Sequence, residues 1–432
     1  MASFTKYLKN SNAPSTTEMV QTVPPAALPV IEEDITAKTV AATQVDQPPL
    51  RNNWQKWFLA FKQIWPIYLA THLAFLILTY LASLFSLENF SEKALSLSTL
   101  LGSWNRWDTS HFTTIATNGY DISLRAAFFP LYPLLERGLM VVTRDPFVAG
   151  LIISNVAMLG LFVVLHRLIE EDFTAELALR TVLYLAVFPT DFFLAAAYNE
   201  SIFLCFALLT FYHIRHSQWW WAGLFGLLAA LTRSSGLFLL VPFCYEYVRQ
   251  HRFQIRAMRF DLLSGLLIPS GLGLFAIYCY LHYHDLFAFS HAQSAWGRAL
   301  DFPWKGFTHS LVIIAKRGIL TFDSIHNIID LSAGLFVLCL TILSFVGPWK
   351  FARDLRAYAF YTAAFYLFLI LFPASGGFPL QSLSRQVIEL FPAFIVLAAI
   401  GKKAQFNLYY LMLSGAILCF MLLQFLTGRW IV

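Results

Sequence analysis

From residue 64 onward, long apolar runs alternate with short polar loops, and several runs reach the roughly 20 residues that cross a bilayer as an α-helix. They occupy residues 64–85, 147–166, 179–189, 200–213, 219–247, 262–283, 328–346, 358–372, 387–400 and 408–426. The run over 219–247 is broken by TRSSG, so it reads as a pair of short passes with that pentapeptide as the turn. The pattern predicts an all-α, polytopic membrane protein of about eleven transmembrane helices.

Charge in the loops orients these helices. Arg51, Lys56 and Lys62 precede the first run, and RQHRFQIRAMR, GPWKFARDLR and the Lys402–Lys403 pair follow later ones. With this helix count, every strongly basic short loop falls on one face, which the positive-inside rule makes cytoplasmic, together with the N-terminus. A single miscounted helix would invert all later loops. Residues 87–145 then lie outside as a long loop expected to carry interfacial helices, and residues 284–325 form a second outer segment.

Composition narrows the class. The chain has 432 residues, of which 58% are hydrophobic, 17% aromatic and only 13% charged, too little polar surface for a soluble domain. The net charge of +5 is spread among short loops, which argues against nucleic acid as a partner. Cys205, Cys244, Cys279, Cys339 and Cys419 all fall within apolar runs, so neither a disulfide framework nor a thiolate metal site is expected. Residues 1–55 differ, being rich in Pro, Thr, Ala and Gln without the basic and apolar regions of a signal peptide. They read as a disordered cytoplasmic tail ahead of a membrane domain over residues 56–432. No GxGxxG or GxxxxGK[ST] string marks a nucleotide site.

Residues 104–133, WNRWDTSHFTTIATNGYDISLRAAFFPLYP, hold the first dense set of charges after the opening run. On the topology above, Asp108, His111, Asp191, Glu200, Arg233, His291, Arg298 and Arg385 all fall at the outer boundary. Ionisable groups near membrane depth are costly and usually line a cavity or a substrate path. In an aromatic-lined pocket Asp108 can act as a general base toward a hydroxyl, with His111 one helical turn away. The same spacing suits Asp108 as a helix N-cap, with Asn118-Gly119 as the stop. His111 has no HxxxH or CxxC neighbour, so no metal is expected there. Asp191 and Glu200 flank a helix-to-helix turn, where carboxylates are commonly just solvated. Arg233 interrupts an apolar run, which is costly unless an anion or a lipid headgroup meets it. His291, Gln293, Trp296 and Arg298 cluster after a helix end, and Arg298 and Arg385 add two more outward arginines.

WDTSHFTTIATNGY, AFFPLYP, FPTDFFLAAAYNES and GLLAALTRSSGL occur in the order and spacing of the PIG-V family of mannosyltransferases, which this chain resembles over residues 104–240. HAQSAWGR and SLSRQVIELFP are looser likenesses. The resemblance implies a GT-C type fold and transfer of mannose from a polyprenyl (dolichyl-type) phosphate mannose to a lipid-linked glycan or similar acceptor, on the extracytoplasmic or lumenal side, with inversion. Eukaryotic members of the family add the second mannose of the glycosylphosphatidylinositol anchor. The acidic base carries over onto Asp108; His111 and Glu200 also match the family pattern. Asp191 stands where relatives often have a small or uncharged residue, and the tail is not a family feature.

With the resemblance, the expected catalytic residues are Asp108 and His111, and the expected substrate-binding residues are Glu200, Arg233, His291, Arg298 and Arg385. No cofactor and no metal ligand set is expected. The expected partners are the bilayer, the lipid-phosphate sugar, a glycolipid or other acceptor and, as an option, a small membrane subunit. The membrane is the plasma membrane in a bacterium and the endoplasmic reticulum in a eukaryote. Other readings are the same fold with another lipid-phosphate sugar, a lipid or glycan transporter, and a non-catalytic subunit.

Overall fold

The computed structural model describes residues 52–86, 96–254 and 259–429. The expected tail lies outside them as far as Arg51; from Asn53 the chain is helical. In chain order the helices are α1 (Asn53–Ser86), α2 (Leu97–Gly102), α3 (Asp108–Asn118), α4 (Leu131–Thr143), α5 (Pro146–Asp172), α6 (Ala175–Ala186), α7 (Glu200–Arg215), α8 (Trp219–Thr232) and α9 (Leu240–Gln250). There follow α10 (Leu267–Tyr283), α11 (Ala288–His291), α12 (Lys305–Arg317), α13 (Phe322–Phe345), α14 (Arg356–Leu371), α15 (Leu383–Gln386), α16 (Phe391–Ile400) and α17 (Ala404–Leu426).

Local sequence explains several boundaries. Asp145 caps α5 by accepting the amides of Phe147 at 2.8 Å and Val148 at 3.3 Å, and Pro146 sits at the first helical position, where its missing N–H costs nothing. Gly119 ends α3 at φ +81°, as the Asn-Gly pair predicts.

The chain is an integral membrane protein. Among the described residues, six helical segments are long and apolar enough to cross a bilayer: α1, α5, Phe260–Tyr283, α13, Arg353–Leu371 and α17. A seventh is added if the pair Leu383–Glu389 and α16, bent by 85°, counts as one span. The other expected passes are the shorter helices α6, α7, α8 and α9. The difference has a packing cause. Residues 391–398 of α16 are buried without exception, so this helix is apolar all round because protein surrounds it. On α1 and α17, by contrast, Leu69, Leu73, Leu76, Tyr409, Met412 and Leu413 point outward, where only hydrocarbon can receive them. Residues 96–143 of the expected outer loop fold as α2, α3, a 3-10 turn over Ser123–Ala127, and α4.

Candidate active site

Asp108 opens α3 directly after Trp107, whose φ of +47° and ψ of −112° lie outside the regions a bulky residue normally occupies. Trp107 holds the N-cap position, so Asp108 is the first helical residue and not the cap that its spacing also suited. Instead its Oδ2 takes Nη1 of Arg385 at 2.6 Å. Glu200 opens α7 in the same way and is fully buried. Arg233 ends α8, where the chain turns into the 3-10 segment Ser234–Leu239. Gly236 makes that turn possible, because a Cβ there would stand 2.4 Å from the Ala230 amide nitrogen.

These groups form one chain of charges. Arg385 reaches Asp108 and also donates to Glu200 Oε1 through Nε at 2.6 Å and Nη2 at 2.5 Å. Arg233 Nη1 donates to the same oxygen at 2.7 Å and to Asn199 Oδ1 at 2.8 Å, and its Nε pairs with Glu389 Oε1 at 3.1 Å. Asn199 is itself fixed by donating to the Thr232 carbonyl at 2.9 Å. Arg385 further stacks over the rings of Tyr198 and Phe193, at 4.6 and 4.9 Å. Buried charges persist only when paired and hydrogen-bonded in this way.

The network borders a cavity of about 820 Å³ with distinct walls. One wall carries Asp108, Arg233, Arg298, Arg385 and Glu389. A second carries His111, Phe128 and Trp296, with His111 stacked on Phe128 at 4.5 Å. Leu237, Phe238, Leu272, Phe365, Phe368 and Phe372 give the cavity an apolar lining as well. Arg233 and Arg385 spend their guanidinium groups on carboxylates. Arg298 forms no ion pair with the described residues; its Nη2 donates to the Gln381 carbonyl at 2.9 Å. Burial, with Arg233 nearby, pushes the Arg298 guanidinium down to about 10. Burial also lowers the His111 imidazole, against an opposing pull from Asp108.

The structure therefore gathers Asp108, His111, Arg233, Arg298 and Arg385 around one cavity, with Glu200 behind them. His291 lies elsewhere: it is mostly exposed, its Nδ1 pairs with Asp285 at 2.7 Å, and it lines a separate hollow of about 350 Å³. Asp191 is not a solvated loop carboxylate. It is fully buried with both oxygens unpartnered among the described residues, and burial raises it well above the usual carboxylate range. Sequence reasoning missed Glu389 and Asn199, which complete the network, and Asp330 on α13. Glu389 sits two residues into the apolar string VIELFPAF, and that placement was the available signal.

Comparisons with known proteins follow the same segment. A family model described as Mannosyltransferase (PIG-V) matches residues 58–297. GPI alpha-1,6-mannosyltransferase 2 of Mus musculus is 33% identical over 152 residues, covering 32% of this chain and 30% of the mouse protein. GPI mannosyltransferase 2 of Schizosaccharomyces pombe is 29% identical over 169 residues, covering 38% of this chain and 36% of the yeast protein. The match thus spans about a third of these relatives' length. Among solved structures, the apo form of an Archaeoglobus fulgidus oligosaccharyltransferase is similar at 10% identity and a TM-score of 0.43, over 83% of this chain and 56% of that one.

Proposed function

Since the chain belongs to the PIG-V mannosyltransferase family, whose model matches residues 58–297, we propose that it transfers mannose from a polyprenyl-phosphate mannose to a lipid-linked glycan or similar acceptor. The observation that carries this reading is the cavity itself, whose lining combines a carboxylate and an arginine without an ion-pair partner among the described residues with aromatic and aliphatic side chains. A lipid-phosphate sugar has matching parts: a prenyl chain, an anion and a neutral ring.

In the proposed reaction Arg298 receives the donor phosphate. Arg233 and Arg385, held to Glu200, add positive potential from behind it. The oxygen of the acceptor hydroxyl attacks the anomeric carbon and its proton passes to Asp108, whose Oδ1 accepts no hydrogen bond from the described residues. The bond between that carbon and the phosphate oxygen breaks, its electron pair leaves with the phosphate, and attack from the opposite face inverts the centre. Arg385, by holding Oδ2, keeps the carboxylate aimed. His111, stacked on Phe128 where burial disfavours its imidazolium, borders the same cavity as the base.

The topology belonging to this proposal has eleven passes, with the short helices α6 to α9 and α16 crossing as inner elements. The cavity then opens on the extracytoplasmic or lumenal face, and the short helices of residues 96–143 lie at that interface.

The test incubates purified protein with radiolabelled polyprenyl-phosphate mannose and membrane lipid extract, followed by identification of the labelled lipid. Asp108→Asn is expected to lower transfer by at least about 10²-fold without loss of folding, as removal of a general base does. Full activity in folded Asp108→Asn protein overturns the assignment of the base, and no transfer by the wild type overturns the donor.

A further inference from the structure

We propose that the wall made by His111, Phe128 and Trp296 is a carbohydrate subsite, with Trp296 as the residue that stacks on a pyranose ring. The inference rests on the transferase reading above and says where in the cavity a sugar sits.

The walls differ in what they can bind. The wall with Arg298 is cationic and suits the phosphate. The apolar lining, where Phe238 lies parallel to Phe365 at 5.7 Å and Leu237 and Leu272 also border the cavity, suits a hydrocarbon chain. Neither matches a polyol, whose ring presents flat C–H faces and a rim of hydroxyls. The third wall does. Trp296 stands edge-on to Phe128 at 5.9 Å and to His111 at 6.4 Å, so its place is fixed by ring contacts on one side. It still lines the cavity, and its indole N–H donates to none of the described residues. A tryptophan N–H in a partly enclosed site usually has a partner. Gln293, Ser110 and Ser290 also line the cavity and supply amide and hydroxyl groups without adding charge. Aromatic surface beside a few neutral hydrogen-bonding groups is how a pocket recognises a polar but uncharged ligand.

The backbone also holds this wall in register with the arginine wall. Between Trp296 and Arg298 stands Gly297, at φ +65°. Its carbonyl accepts the Ser375 amide at 2.8 Å, and a Cβ there would stand 2.2 Å from Ser375 Oγ. Arg298 pairs with Ala374 across an antiparallel bridge, and the Asp301 amide donates to the Leu371 carbonyl at 2.9 Å. One tethered strap therefore presents the Trp296 ring and the Arg298 guanidinium, which meets no carboxylate of the described residues, on either side of a glycine. A ring bound at Trp296 lies beside a phosphate bound at Arg298, in reach of the cavity that Asp108 lines.

The ring could be the donor's mannose or the acceptor's terminal sugar, and steady-state kinetics separates them. Purified full-length protein is assayed with radiolabelled polyprenyl-phosphate mannose as donor and octyl α-mannoside as acceptor, each varied in turn. Trp296→Ala, and Trp296→Leu in case the smaller residue unfolds the strap, are expected to raise one KM by roughly 3- to 10-fold. Trp296→Phe is expected to restore most of it. A rise confined to octyl mannoside assigns the acceptor ring, and a rise confined to the donor assigns its mannose; either supports the subsite. If both KM values stay at the wild-type level in folded Trp296→Leu while Asp108→Asn still abolishes transfer, the subsite is wrong and the transferase reading stands. If the wild type transfers no mannose to any acceptor, both fall together.

Discussion

Asp330 accepts the main-chain amide of Ser384 at 2.9 Å, and through it α13 fixes the short helix that carries Arg385. The carbonyl of the same serine accepts the Thr190 hydroxyl at 2.8 Å, so Ser384 is held from two sides within the buried interior. Arg385 can then span Asp108 and Glu200 without drawing its own short helix out of place. Asp330→Ala leaves a buried amide unpaired and is expected to cost about 1–3 kcal/mol. Thermal unfolding in detergent should show the loss, with transfer reduced as well because Arg385 is no longer fixed. Asp330→Asn keeps an acceptor oxygen and should lie closer to wild type in both measurements.

Glu200 is the hinge of the charge network, since a single oxygen meets both Arg385 and Arg233. Removing it leaves two guanidinium groups facing each other inside the protein. Glu200→Ala is expected to destabilise by about 3–5 kcal/mol, the size seen when one partner of a buried ion pair is lost. Glu200→Gln retains hydrogen bonding and should be milder. The midpoint of thermal unfolding orders the two variants, and equal midpoints would contradict the pairing.

The His111 ring titrates below its ordinary value because burial disfavours the imidazolium. A base whose folded pKa is depressed binds fewer protons folded than unfolded, so its contribution to stability is complete above the unfolded value of about 6.5 and is lost as pH falls toward the lowered one. The part of the thermal stability that depends on His111 should therefore hold level above about pH 7 and decline on the acid side. In His111→Gln that part of the acid decline in Tm should vanish. A decline of unchanged size would assign it to other groups.

Gly236 tests how the turn after α8 places Arg233. Gly236→Ala forces a methyl against the backbone at Ala230, which cannot step aside as a flexible side chain would. The expected outcome is lower expression of folded protein and, in what folds, a raised donor KM. The same substitution at Gly119, at φ +81° but with open space around a Cβ, should cost stability through backbone strain alone and leave the KM near wild type.

Arg298 lines the cavity without an ion pair to any described residue. Arg298→Ala should raise the donor KM far more than Arg298→Lys, since lysine keeps the charge and loses only the forked geometry. Because the guanidinium lies near 10, it is charged throughout the physiological range, and activity should fall as pH approaches that value. A donor KM unchanged in Arg298→Ala would remove this residue from the phosphate seat.

The apolar runs, their helical character and the membrane setting were legible from residue order, because burial in hydrocarbon depends on local length and polarity. So were Asp108 and Arg233, each of which breaks a pattern that would otherwise need no charge. The number of runs long enough to cross was less legible, since a helix enclosed by protein is as apolar as one facing lipid, as α16 shows. Loop charges were ambiguous for another reason: a carboxylate looks the same in sequence whether water or protein surrounds it. Asp191 is buried where a solvated carboxylate was expected, and His291 stands exposed and outside the cavity that the other expected site residues border.

What the amino-acid order determined by itself is an all-helical membrane chain with a polar set concentrated at the loops, since hydropathy and charge act where they stand. Only the tertiary structure decided that Arg385 meets Asp108 across a separation of 277 residues, that Glu200 joins Arg385 to Arg233, and that Arg298 meets a main-chain carbonyl and no carboxylate of the described residues. Ion pairs form through space, and their partners are chosen by which helices pack together.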